Sequence, residues 1–123
     1  MNFSETPEFK KDVKRLAKKW RSIPMDIEAV KPYILPLYVP RDGEDVMQDY
    51  RKAFFTGKIA AVLHAQGDTE VVKMRLDVSD LGRNDKVRII FVAVKSRDTI
   101  TFIELYAKNE KDREDQARIK KYV

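Results

Sequence analysis

Between residues 69 and 108 the chain spells out three strands in succession, and this run restricts the possible folds more than any other feature. TEVVKMRLDVS (69–79) alternates, with Val72, Met74, Leu76 and Val78 pointing one way and Val71, Lys73, Arg75 and Asp77 the other. SDLGRND (79–85) reads as a longer, charged hairpin loop. KVRIIFVAVK follows, apolar on both faces, which predicts a central strand. Ser96, Arg97 and Asp98 then turn the chain into TITFIELYAK. KIAAVLHA (58–65), ahead of a Gly67-Asp68 turn, predicts a further strand. Strands joined by such short polar turns pair as an antiparallel meander.

The first half has a different period. Thr6 is placed to cap a helix whose first position is Pro7, and MNFS before it fits a short edge strand. Phe9, Val13, Leu16, Ala17 and Trp20 recur at helical spacing, with Lys and Arg on the other side, and the helix should end near Trp20 to Ser22. Pro24 opens a second helical pattern through Ile27, Val30, Ile34 and Leu37, which Pro32 and Pro36 kink or truncate. Residues 38–43 read as a turn or loop, and 44–56 as a short helix presenting Val46, Tyr50, Phe54 and Met47. The closing stretch, EKDREDQARIKKYV, is expected to be a charged helix with Ala117, Ile119, Tyr122 and Val123 as its apolar contacts. The whole chain, 1–123, is thus expected to be one α+β domain. N-terminal helices pack on one face of an antiparallel meander, and a charged helix ends it.

Composition narrows the chemistry. With no cysteine, disulfides, thiolate catalysis and cysteine-based zinc sites are excluded. No apolar run approaches the roughly 20 residues that span a bilayer, and the N-terminus has no apolar core of the signal-peptide type. The expectation is a soluble, cytoplasmic protein without membrane, metal or cofactor. The 25 Lys and Arg exceed the 20 Asp and Glu by five, which permits nucleic acid or an acidic protein as partner.

If the helices cover the Val72, Met74, Leu76 face, Lys73 and Arg75 emerge on the other, about 7 Å apart along one strand. Arg88 starts the next strand, with Arg83 and Lys86 just ahead of it, and Tyr106 and Lys108 end the strand after that. In a meander these groups converge on a shallow surface that attracts phosphates and offers Tyr106 for stacking on a base. A purely structural reading stands beside this one. Strand ends are charged because they reach solvent, Arg88 pairs across the sheet with Asp77 or Glu104, and Tyr106 is half buried. His64, the only histidine, reads as a structural residue.

The ordered set of motifs resembles the RelE/ParE superfamily of toxins from type II toxin–antitoxin systems, in its RelE/HigB-like branch. FSETPEFKKDVKRLAKKW is similar to that family's first strand and Lys-rich helix, VVKMRL to its strand with a basic pair, KVRIIFVAV to its strand led by arginine, and ITFIELYAKNEKDRED to its closing strand and ending. The likeness covers about 1–22 and 69–115 and leaves 38–66 unexplained. It implies helices on one side of a compact sheet and, on the other, a metal-independent endoribonuclease site that cuts mRNA on the ribosome. It also implies a separate, acidic antitoxin as partner. Carried over residue by residue, Lys73 and Arg75 fall on the basic pair that holds RNA and assists proton transfer, and Arg88 on the arginine at the scissile phosphate. Lys108 and Asn109 lie where members carry a further basic residue or histidine, and Tyr106 falls on an aromatic of the closing strand. The chain departs from the pattern in its terminal segment, which has no histidine and no aromatic before Tyr122. Two alternatives stay open: a ParE-like inhibitor of DNA gyrase, and a non-catalytic basic binding domain of the same layout.

Overall fold

Helix formation begins where the sequence places a cap. In the computed structural model, which describes residues 1–39, 46–56 and 58–123, Thr6 is extended and its hydroxyl accepts a hydrogen bond from the Phe9 amide, with Pro7 opening the helix. This helix, α1, spans Pro7–Ala17 and follows strand β1, Asn2–Glu5. Thr6→Ala is expected to cost about 1 kcal/mol by orphaning that amide. The check is a urea titration, in which the midpoint falls and the slope stays unchanged.

Helix α2 covers Ile23–Ile34 with Pro32 inside it, and the chain then tightens into a 3₁₀ turn at Leu35–Leu37. Helix α3 is Val46–Phe54. The loop expected over 38–43 lies, from residue 40 on, outside the described residues, as do the side chains of Val46 and Met47 expected on the face of α3. Four strands follow: β2 (Ala60–Gln66), β3 (Thr69–Val78), β4 (Arg83–Val94) and β5 (Thr99–Ala107). A short helix, α4, ends the chain at Gln116–Lys120.

The strands lie in the order β1-β5-β4-β3-β2. β2 to β5 form the expected antiparallel meander, but β1 joins the far edge in parallel with β5, so the sheet is mixed. The reason is topological: β1 belongs to the other end of the chain, and α1 carries it over the face of β5 rather than around a hairpin. Two further expectations change. The hairpin loop between β3 and β4 is shorter than 79–85. Gly82 takes a left-handed φ of +63°, and the amides of Leu81 and Gly82 both donate to the Val78 carbonyl, so β4 begins at Arg83. The charged terminal helix is confined to five residues. Glu104 on β5 accepts the Asp115 amide and the Lys111 ammonium, which ties 111–115 to the sheet in a non-helical path, and Asp115 then caps α4.

The main core lies between the helices and one sheet face. Phe102 stacks on Phe9 at 5.4 Å and on Phe3 at 5.8 Å, and meets Phe91 edge-on. Val72, Met74, Leu76 and Val78 all point into this core, as their alternation predicts. The opposite face is not bare. Val71, Ile90, Val92, Ile103 and Tyr106 form a smaller cluster covered by Ile119 and Tyr122 of the terminal segment. A bulge at Ile103 makes this possible, because Ile90 pairs with Glu104 while Phe91 pairs with Phe102. Ile103 and Glu104 therefore turn to the same side. Among the described residues, no helix is long and apolar enough to cross a membrane.

Candidate functional site

Sheet register places the candidate residues in rows. Arg75 on β3 lies opposite Arg88 on β4, and Arg88 lies opposite Tyr106 on β5. With neighbouring strands about 4.8 Å apart, the row spans roughly 10 Å. The next row inward is Lys73, Ile90 and Glu104. Lys108 follows β5, its amide bound to the Lys86 carbonyl at 2.8 Å. Of these residues, Lys73, Arg75, Arg88, Tyr106 and Lys108 line a surface depression of about 250 Å³, together with Lys58 to Ala61 at and just before the start of β2, Met74 and Asp112.

Residues 58–61, which follow α3, supply one wall of this depression, and α3 is tied to the sheet. Arg51 of α3 pairs with Glu70 of β3 at 2.8 Å, and the Tyr38 hydroxyl donates to the same carboxylate at 2.6 Å. Behind them β2 adds an edge strand, and Lys58, Ile59, Ala60 and Ala61 face the basic row.

Arg88 is the unusual member. It is only 8% exposed, yet among the described residues its side chain makes one hydrogen bond, a 3.4 Å contact with the Val87 carbonyl. Neither Arg75 nor Arg88 forms an ion pair among the described residues. Of its two expected partners, Asp77 forms no ion pair among the described residues, and Glu104 is engaged by Lys111 and the Asp115 amide. Burial pushes the Arg88 guanidinium below its ordinary pKa, and the neighbouring charge of Arg75 adds to the shift. Two like charges opposite each other in a sheet are destabilising. An anion seated between them would relieve both the repulsion and the unmet donors.

Tyr106 is buried, 1% exposed, with the Lys111 ammonium 5.3 Å from its ring centre. The ring is therefore not available for a base to stack on, contrary to the expectation from sequence. Its hydroxyl makes no hydrogen bond to the described chain. Burial pushes its pKa up to about 12, with Glu114 and Glu104 adding to the shift, so at neutral pH the hydroxyl is protonated.

The other expected residues divide. Lys73 lines the depression, but its ammonium lies 3.0 Å from the buried Glu114 carboxylate. Burial alone would raise the Glu114 pKa; hydrogen bonds from backbone and Lys73 outweigh it and hold the group charged. Lys73 is thus neutralised within the chain. Arg83 instead pairs with Asp85, whose carboxyl is pulled down to about 2 by that contact, and both lie outside the depression. Lys86 is exposed on β4 and also outside it. His64 sits on β2 with Nε2 buried and unpartnered, beside Gln66, Thr69 and Tyr122 and away from the basic row. Sequence reasoning missed Glu114, Lys58 and Lys111. Glu114 and Lys111 lie in a charged stretch without periodicity, and Lys58 opens the expected strand of residues 58–65, so only the tertiary path of the chain brings the three together at the sheet.

Among the described residues, no group of three or more histidine, aspartate or glutamate side chains is placed to hold a metal ion. The arrangement can bind an anionic tetrahedral group with two guanidiniums and a phenol, and can stabilise charge that develops on it. The chain matches no protein-family model, no curated protein and no solved structure. Fold and site alone therefore define its class: an α+β domain with a depression lined by basic residues on the sheet face away from α1 and α2.

Proposed function

We propose that the Arg75–Arg88–Tyr106 row grips a phosphodiester of RNA, and that the protein is a RelE-like toxin acting as a metal-independent, ribosome-associated mRNA endonuclease in the cytoplasm. A separate antitoxin neutralises it by presenting carboxylates to the same arginines. The observation that carries this reading is the pair of facing guanidiniums without a carboxylate partner, one of them almost buried. Such a pair is costly to the fold and finds its use in an anionic ligand. In the reaction, the RNA 2′-hydroxyl oxygen bonds to the adjacent phosphorus and the P–O5′ bond breaks. Arg75 and Arg88 stabilise the added charge on the phosphorane oxygens. The 2′-hydroxyl proton passes to water, and water returns a proton to the 5′-oxygen as it leaves as a hydroxyl, with the protonated Tyr106 hydroxyl hydrogen-bonded to that oxygen.

One observation favours a second reading, a non-catalytic basic binding domain. No histidine lines the depression, and Lys73 is held by Glu114, so a base titrating near neutral pH is missing among the described lining residues.

Controlled induction in a bacterial host separates the readings. The native chain is expected to stop growth with cleaved transcripts. Arg75→Ala with Arg88→Ala, equally abundant and folded, is expected to cut at least ~100-fold more slowly, the usual loss for one such donor. Growth arrest with intact mRNA would move the gyrase-inhibitor reading ahead. RNA binding without cleavage in a purified ribosome assay would support the non-catalytic one.

A further inference from the structure

The excess positive charge of this chain does not reside on the sheet. Lys10, Lys11, Lys14, Lys18, Lys19 and Arg21 lie on α1 and the turn that follows it, all six exposed. None forms an ion pair among the described residues, whereas Arg15 on the same helix is held by Asp12 and Glu110. The rest of the chain then carries 19 Lys and Arg against 20 Asp and Glu, close to neutral. The net charge of +5 is in effect a property of this one element.

The charges are also ordered. At 3.6 residues per turn, Lys10, Lys14, Lys18 and Lys11 fall within an arc of about 100°, and Lys18 keeps right-handed helical geometry at the end of the helix. Phe9, Asp12 and Leu16, the buried side of α1, lie on the opposite side of the helix and pack toward β5. The lysine stripe therefore points directly away from the sheet, on the side of the molecule opposite the Arg75–Arg88–Tyr106 row. Lys10, Lys14 and Lys18 follow one another every ~6 Å along the axis.

We propose that the lysine stripe of α1 is a second polyanion site, which docks on the phosphate backbone of a nucleic-acid duplex. Four mobile ammonium groups on one rigid ridge suit a regular row of phosphates rather than a single bidentate anion, for which Arg is the better residue. The apolar side of α1 is consumed by the core, so the helix has nothing to insert into a membrane. The stripe would hold a structured nucleic acid while the sheet site, on the far side, takes a single strand. The inference rests on the reading above only for that division of labour; the charge and geometry of α1 stand without it.

The test uses fluorescence anisotropy with a 20-base-pair RNA duplex, the matching DNA duplex, a single-stranded RNA, and vesicles containing phosphatidylserine, each over a salt series. Lys10→Gln, Lys11→Gln, Lys14→Gln and Lys18→Gln are combined in one variant, with its thermal melt checked against the native chain. Duplex affinity at low salt is expected to fall at least tenfold, and the slope of log K against log salt to shrink by up to ~3.6, at ~0.9 for each of four lost phosphate contacts. The Arg75→Ala, Arg88→Ala variant should bind duplex as the native chain does while losing the single strand. RNA duplex binding well above DNA would identify structured RNA as the partner, and equal binding would identify duplex phosphate in general; either supports the site. A natively folded quadruple variant that binds duplex within twofold of native overturns the proposal. So does native binding to the vesicles but not to either duplex, or loss of duplex binding in the arginine variant. If the arginine variant loses nothing with the single strand while the quadruple variant loses the duplex, the RNA reading of the sheet site fails and this one survives.

Discussion

Replacing Asp12 by Asn is expected to lower the melting temperature by about 8–15 °C, the shift that corresponds to about 2–4 kcal/mol in a chain of this size. Asp12 is 3% exposed on the sheet side of α1. Its carboxylate accepts from the Arg118 guanidinium at 2.6 Å, from the Leu105 amide of β5 at 3.1 Å and from Arg15 at 3.0 Å. One side chain thus joins the first helix, the last strand and the terminal helix. Losing its charge leaves Arg118, whose side chain is 20% exposed, without its main partner. Because that residual exposure lets the guanidinium reach water, the effect falls in and below the ~3–5 kcal/mol range of fully buried pairs.

The same group gives a pH signature. Burial alone would raise the Asp12 pKa, but the hydrogen bonds from Arg118, Leu105 and Arg15 outweigh it and hold the carboxyl below its ordinary 3.8. A carboxyl depressed by folding contributes stability above its unfolded pKa and loses it as pH falls through the folded one. The native chain should therefore lose stability more steeply below about pH 4 than Asp12→Asn does, and the two melting curves should converge in acid. Parallel pH profiles would show that Asp12 is not the charged anchor described here.

Arg88→Leu is expected to act in the opposite sense. Function should be lost, because the row is left with a single guanidinium. Stability should rise by about 0.5–1 kcal/mol, as a like-charge pair opposite Arg75 is removed, and the melting temperature by a few degrees. Ile90 and Tyr106, which flank the position on the same face, give the leucine apolar neighbours. Since an arginine stays charged across all ordinary pH, this gain should be constant between pH 5 and 9. A loss of more than 1 kcal/mol on thermal or urea melting would mean that the Arg88 guanidinium supports the fold, and the argument for an anion site would fall with it. A stable but inactive variant is the usual mark of a residue kept at some expense to the fold.

How far these residues were legible in advance follows from the range of the interactions involved. The alternation in 69–79 assigned Val72, Met74, Leu76 and Val78 to the core and Lys73 and Arg75 to the other face, and Thr6 with Pro7 located the start of α1, because periodicity and capping depend on residues a few positions apart. Other decisions joined residues far apart in the chain. β1 pairs with β5 across nearly the whole sequence. Glu104 is engaged by Lys111 and the Asp115 amide, which takes from Arg88 one of the two partners that sequence offered it. Glu114 returns from the terminal segment to neutralise Lys73. The bulge at Ile103 and the cover from Ile119 and Tyr122 bury Tyr106, which removes the ring that sequence offered for stacking. Local pattern by itself determined which residues face which side of each strand and helix. Only the tertiary structure decided which charges on the shared face are already satisfied and which remain open to a ligand, because a carboxylate's choice among several cations depends on distance in the folded chain, and that distance has no local signature.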